Sequence, residues 1–218
     1  MHKTLYLMRH AETLFNQQGK TQGWCDSPLT PRGIEQARLT GLELARRGVT
    51  FDHAFCSTAE RCSDTLELVT EAAFGEPMPY ERRKGLREIS FGAYEAKDQF
   101  LELHDDEFGQ FYVQFGGESQ DRAVDRLEAD LKEIMSRPDH HNVLVCSHGG
   151  IAISFYLRWK DHAKVPPTVF GNCMTYVYHV EDDVFSCQDM FVADFSSLEQ
   201  PGMPAQLMRI DANARPKH

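Results

Sequence analysis

Two segments of the chain share one construction. An apolar run, Leu5-Tyr6-Leu7-Met8 or Val143-Leu144-Val145-Cys146, leads into a histidine, through Arg9-His10 in the first case and Ser147-His148 in the second. A buried strand that opens into a polar turn reads this way, and in open α/β sheets ligands bind just beyond the carboxyl ends of the strands. If the two strands are neighbours, His10 and His148 stand at one edge. A neutral imidazole is a competent nucleophile near neutral pH. Arg9 beside His10, and Arg61 after Cys56-Ser57-Thr58-Ala59-Glu60, would bring two guanidiniums there, with forked donors that match phosphate oxygens. Taken singly, each histidine is a structural hydrogen-bonder and each arginine a surface ion-pair partner. The repeated junction is what points to a site.

The elements that must hold these residues follow from periodicity. Thr4 to Met8 reads as a first strand. From Thr30 an N-cap candidate, Pro31 at the first helical position and apolar Ile34, Ala37, Leu42 and Leu44 predict a helix that stops near Gly48. Phe51 to Cys56 reads as a second strand and Thr58 to Phe74 as a helix ended by the Gly75-Pro77 break. After the basic loop Arg82 to Arg87, the segment Leu86 to Glu95 is irregular and Asp98 to Phe108 a short helix. Ser119 to Met135 carries Val124, Leu127, Leu131 and Ile134 at helical spacing behind a serine cap. Asn142 to Cys146 is a strand, Ser147 to Gly150 a tight turn, Ile151 to Trp159 a helix, and Thr175–Val180 with Val184–Cys187 a hairpin about Asp182-Asp183. Strands alternating with helices predict an α/β fold, a three-layer α/β/α sandwich around a mostly parallel sheet. We expect one domain over residues 1–195 and a tail, 196–218, with Pro201, Pro204 and Pro216, that is a docking arm or disordered.

Composition narrows the chemistry. The 218 residues are 41% hydrophobic, enough for a sizeable core, and 33 acidic against 23 basic residues give a net charge of −10. No broad footprint for nucleic acid is expected from that balance, so an anionic ligand must be held by a local cationic pocket. No run approaches the length of a membrane span, and the short N-terminal apolar stretch does not suit a signal peptide. Six scattered cysteines without a CxxC pair read as buried thiols of a reducing cytoplasmic compartment. The Cys56 to Arg61 segment has one residue too few for a cysteine phosphatase loop, and the minimal motifs of P-loop, serine-hydrolase and zincin chemistry are missing from the sequence. Asp139-His140-His141 offers metal-ligating types, but adjacent histidines point to different faces of most backbones, so these read as surface loop residues and no metal site is expected.

At this point the residues resemble a known family. Arg9-His10-Ala11-Glu12-Thr13, then Asn16, Gln22-Gly23, Asp26 to Thr30, Gly33 and Gln36-Ala37, is similar to the opening of the histidine phosphatase superfamily, the phosphoglycerate mutase-like proteins. Ser57 to Arg61 with Thr65, Leu86-Arg87-Glu88 through Phe91-Gly92, Gly117-Glu118-Ser119 and Val143 to Gly149 continue it in the family's order, over about residues 3 to 180. The resemblance implies that His10 attacks phosphorus and becomes a phosphohistidine, that Arg9, Arg61 and His148 hold the phosphoryl oxygens, and that Glu88 is the general acid and base. Asn16, Gln22, Gly23, Ser57 and Gly149 match positions that line the phosphate pocket. Two arginines and a protonated His148 could supply the cations that in-line transfer needs, so no cofactor or metal is expected.

The departures concern substrate more than chemistry. Ala11 stands where the family usually has Gly, which is harmless if φ there is negative; Ala96 and Phe115 replace a usual Gly and Pro near the leaving group. Mutases that this chain resembles add a long basic segment and an Asn where Gly150 stands. Between Glu88 and Ser119 the only basic residues are Lys97 and His104, among six acidic ones from Glu95 to Glu107, a poor grip for a second phosphate. Hydrolysis of a small phosphorylated metabolite is the favoured expectation. A phosphoglycerate mutase and a non-catalytic phospho-ligand module are the alternatives, and a homodimer is left open.

Overall fold

The computed structural model describes residues 3–99, 108–166 and 170–198. Strand β1 (Lys3–Arg9) is followed by a single turn, α1 (Leu14–Gln17), closed by a reciprocal cap in which Thr13 and Asn16 bond each other's backbone N–H. Helix α2 (Pro31–Arg46) starts as expected, with the Thr30 side chain accepting from Gly33 N and Pro31 in the first turn. Next come β2 (His53–Ser57), α3 (Glu60–Phe74), which ends at Gly75 with φ 90°, and β3 (Glu81–Arg83). After 3-10 turns at Lys84–Leu86 and Gly92–Tyr94, α4 (Phe108–Phe111) runs into another, Tyr112–Phe115. Then follow α5 (Gln120–Ser136), capped by Ser119, β4 (Asn142–Ser147), α6 (Gly149–Arg158), a 3-10 turn Lys160–His162, the hairpin β5 (Thr175–Glu181) and β6 (Val184–Phe191), and a 3-10 turn Ser196–Leu198.

The six strands form one sheet in the order β3-β2-β4-β1-β5-β6. Three neighbouring pairs, β3 with β2, β2 with β4 and β4 with β1, are parallel; β1 with β5 and β5 with β6 are antiparallel. Alternation along the strands sorts side chains to two faces. Leu5, Leu7, Phe55, Val143 and Val145 pack with Leu127, Leu131 and Ile134 of α5 and with Phe155 of α6. Met8, Ala54, Cys56, Leu144 and Cys146 pack with Ala37 and Leu44 of α2 and with Leu66 and Val69 of α3. Helices therefore cover both faces, which gives the three layers.

Several local expectations are corrected. Leu42 is exposed, because α2 turns Gly33, Gln36, Ala37, Thr40, Gly41 and Leu44 inward instead and meets α3 at Gly41. A Cβ at Gly41 would lie 2.2 Å from the Val69 carbonyl, so the close approach of the two helices needs glycine there. The expected basic loop at Arg82 contains an edge strand, β3, whose charged side chains hide it from hydrophobic patterning. The Ser147 to Gly150 turn is shorter than expected: His148 is the cap residue of α6, and Gly149 and Gly150 form its first turn. Asp182 and Asp183 both adopt positive φ, 49° and 63°, as a tight two-residue hairpin turn requires. All six cysteines are free, and Cys25 is partly exposed where a buried thiol was expected. The expected helix over Asp98 to Phe108 falls mostly, and the tail beyond Leu198 wholly, outside the described residues.

Candidate active site

The site is set by strand register. β1 and β4 pair so that Arg9 faces Ser147, and β2 aligns Cys56 with Cys146. His10, His148 and Ser57 consequently leave three adjacent parallel strands at one edge, and the His10 N–H bonds the Ser147 carbonyl at 3.0 Å. The two imidazoles meet edge to face with centroids 5.4 Å apart, and both are buried.

Each ring has an assigned proton. His10 Nδ1 lies 2.8 Å from the Ala11 carbonyl, an acceptor only, so Nδ1 carries the hydrogen and Nε2 presents a lone pair. Arg61 Nη2 lies 2.8 Å from His148 Nδ1; a guanidinium can only donate, so that nitrogen is unprotonated. His148 Nε2–H then donates to Ser57 Oγ at 2.8 Å. The expected protonated His148 is thus corrected: in this structure it is a neutral donor. Burial, then the positive charge of Arg61, hold both imidazoles well below their ordinary pKa; Arg9 adds to this for His10.

Arg61 is wholly buried and nearly saturated. Nη1 donates to the Cys25 carbonyl and to Asp26 at 2.9 Å each, and Nη2 donates to the Gly23 carbonyl at 2.8 Å as well as to His148. Its Nε is buried without a partner, and so is Nε of Arg9. A buried donor left unpaired is costly, and two of them lie on the cations beside His10, where an anionic acceptor would satisfy them. Burial lowers the pKa of Arg9, opposed by the nearby Glu88 carboxylate. Its guanidinium lies over the Phe170 ring at 4.6 Å.

Glu88 is buried and held by the start of α6. Its carboxylate accepts from Ile151 N at 2.7 Å, Gly150 N at 2.8 Å and Ile89 N at 2.9 Å. Burial raises its pKa, against these backbone donors and Arg61, which favour the charged form. The sequence match gave no sign that α6 seats this group.

The other expected residues divide by what they touch. Ser57 contacts His148. Asn16 Oδ1 accepts from Asn172 Nδ2 at 3.1 Å, and Asn172 also donates to the His10 carbonyl at 3.2 Å, which ties Asn16 to the His10 backbone. Gln22 is one layer out, bonded to Thr13 and Ser27. Gly23 contributes its carbonyl to Arg61, while its N–H points to Glu95 at 3.1 Å. Gly149 makes room: a Cβ there would fall 2.9 Å from Arg9 Nε and 2.3 Å from the Phe170 ring.

With this geometry fixed, comparison with known proteins is informative. The family model of the histidine phosphatase superfamily (branch 1) matches residues 5–192. The chain belongs to the histidine phosphatase superfamily. A broad-specificity phosphatase of Saccharomyces cerevisiae, YOR283W, is 32% identical over 185 residues, 82% of this chain and 80% of its own length. Among solved structures, Bacillus stearothermophilus YhfR superposes with a TM-score of 0.71 at 28% identity, covering 84% of this chain and 94% of its own. A phosphoglycerate mutase from Bacillus anthracis reaches a TM-score of 0.76 at 24% identity over 89% of this chain and 94% of that one, a likeness of fold.

Within this superfamily the departures acquire causes. Ala11 is not among the residues with positive φ, so its methyl is tolerated; its N–H donates to Thr65 Oγ1 at 3.0 Å. Ala96, where the family usually has Gly, adopts φ 62° and bears the cost of that conformation. Neighbouring Glu95 was missed by sequence reasoning. Its carboxylate accepts from the backbone N–H of Gly23, Trp24, Cys25 and Phe91 at 2.8 to 3.1 Å. Burial works to raise its pKa, but the Cys25 thiol and these donors bring it below the ordinary value. Glu95 thereby shapes the loop whose carbonyls hold Arg61.

Proposed function

We propose that the chain hydrolyses phosphomonoesters of small metabolites through a phosphohistidine on His10. The observation that carries this reading is the pair of buried, unpartnered guanidinium nitrogens, Arg9 Nε and Arg61 Nε, beside a neutral His10 whose free lone pair is on Nε2. The name of the yeast relative, a broad-specificity phosphatase, agrees with it. The six free thiols suit a reducing, cytoplasmic setting.

In the first step His10 Nε2 forms a bond to phosphorus as the bond to the ester oxygen breaks, and protonated Glu88 gives its proton to that oxygen. The positive charge left on the imidazole is met by the Nδ1–H bond to Ala11. Arg9, Arg61 and the His148 Nε2–H donor stabilise the equatorial oxygens, so this route needs no metal. In the second step Glu88 takes a proton from water as its oxygen attacks phosphorus, and the N–P bond breaks to release phosphate and restore His10. One domain over residues 1–195 is enough for this cycle.

Phosphate release from p-nitrophenyl phosphate in EDTA, compared with His10→Ala, tests the reading. Release by the wild type and its loss in the variant are expected. No release, with conversion of 3-phosphoglycerate to 2-phosphoglycerate instead, would replace it with the mutase reading.

A further inference from the structure

The amino-terminal edge of the sheet, opposite the phosphate site, carries a second constellation. His53 opens β2, and Asp139 and His140 lie between α5 and β4. One ligand atom from each of the three lies within 4.8 Å of the other two. The His53 and His140 rings stack with centroids 4.0 Å apart, and His53 Nε2 is 3.0 Å from Asp139 Oδ2. Four-coordinate zinc, with ligands at about 2.0–2.2 Å, sets its donors roughly 3.3 Å apart, so a contraction of at most about 1.5 Å would place these three in such a shell.

His140 gives the independent sign of a ligand. It is 2% exposed, and its Nδ1 is buried with no partner. One ring nitrogen of His140 is therefore left to take a ligand. The three residues line a cavity of about 370 Å³, shared with Phe55, Tyr80 and Arg137. Arg137 is engaged by Glu133 at 2.8 Å and Glu81 at 3.8 Å. Asp52, also at the cavity, is occupied by the backbone N–H groups of His141 and Asn142 at 2.8 and 2.9 Å.

We propose that His53, Asp139 and His140 bind a divalent transition-metal ion of the zinc class, with water in the open position facing the cavity. Two imidazoles and one carboxylate are a donor set that suits zinc or cobalt and does not suit calcium or magnesium. On binding, the His53 proton moves from Nε2 to Nδ1 and the Nε2 lone pair turns to the metal; nothing is oxidised or reduced. His53 and Ser57 are the first and last residues of β2, about 13 Å apart along a strand. The metal would therefore clamp the start of β2 to the loop before β4 and stay clear of the phosphoryl chemistry. The sequence reading paired His140 with His141, which is exposed; the fold pairs it with His53 instead.

The test is titration of the tag-free, chelator-stripped full chain with Co²⁺, read by its visible absorption, and with Zn²⁺ in competition. One equivalent should bind, with Zn²⁺ raising Tm. His53→Ala and Asp139→Asn, both at partly exposed positions, should each weaken binding at least about tenfold, and His141→Ala should leave it unchanged. Absence of saturable binding, or affinity in His53→Ala equal to wild type, would overturn the proposal, and neither readout depends on phosphatase activity.

Discussion

Arg61 Nη2 donates to His148 Nδ1 at 2.8 Å, and this single bond decides what His148 can do. With Nδ1 filled, the only ring proton is on Nε2, where it donates to Ser57 and can be lent to a phosphoryl oxygen. Arg61→Lys keeps the charge but cannot reach four acceptors from one ammonium. Turnover on p-nitrophenyl phosphate should fall about 10²–10³-fold. Stability should drop by about 1–3 kcal/mol in urea unfolding, as the Gly23 and Cys25 carbonyls lose their donor. Turnover and stability both near wild type would contradict this role.

Glu88 as general acid makes a leaving-group prediction. Glu88→Gln should lower kcat/KM, which reports transfer to His10, about 10²–10⁴-fold on an alkyl phosphate and far less on p-nitrophenyl phosphate, whose leaving oxygen needs no proton. Gly150→Ala should act in the same direction more weakly, since its Cβ would come 3.0 Å from Glu88 Oε1 and must push the carboxylate aside. Equal losses on the two substrates would refute the proton-transfer assignment.

The pH profile follows from the shift directions. His10 must be neutral, and its pKa is held well below 6.5, so the acid limb lies below that value. Glu88 must be protonated, and burial raises its pKa above 4.5, so the alkaline limb lies above that value. The kcat/KM profile on an alkyl phosphate should therefore be bell-shaped, with its acid limb below pH 6.5 and its alkaline limb above pH 4.5. In Glu88→Gln the alkaline limb should flatten. An acid limb above pH 6.5, or an alkaline limb unchanged in Glu88→Gln, would show that the two groups are misassigned.

Ala96 offers a stability test away from the chemistry. At φ 62° a Cβ costs about 1–2 kcal/mol that glycine avoids, though glycine also frees the unfolded chain. Ala96→Gly should raise Tm by a few degrees in thermal unfolding. A lowered Tm would mean that the methyl's packing outweighs the strain.

Much of this was legible in the sequence, for identifiable reasons. The runs into Arg9-His10 and Ser147-His148 mark strands because both faces of a parallel sheet are buried, and their parallel pairing brings the histidines together as expected. Thr30 and Ser119 announced their helices through cap chemistry. β3 was invisible because Glu81-Arg82-Arg83 is held by backbone pairing to β2 with no apolar alternation. The charge of His148 was misread because it depends on burial and on Arg61, 87 residues away. Glu95 gave no signal, since a carboxylate that gathers four backbone N–H groups looks like any loop acid in one dimension. His53 and His140 became a pair only when β2 and β4 aligned.

The proposed cycle turns on a covalent bond between His10 and phosphorus. Rapid quench of the enzyme with a phosphate-labelled monoester, followed by peptide mapping under alkaline conditions, tests it most directly. An acid-labile, alkali-stable label is expected on the peptide that contains His10, accumulating in Glu88→Gln with an aryl monoester, whose leaving oxygen needs no proton and whose phosphohistidine is hydrolysed slowly there. Turnover of labelled substrate with no label on His10, or undiminished turnover in His10→Ala, would contradict it.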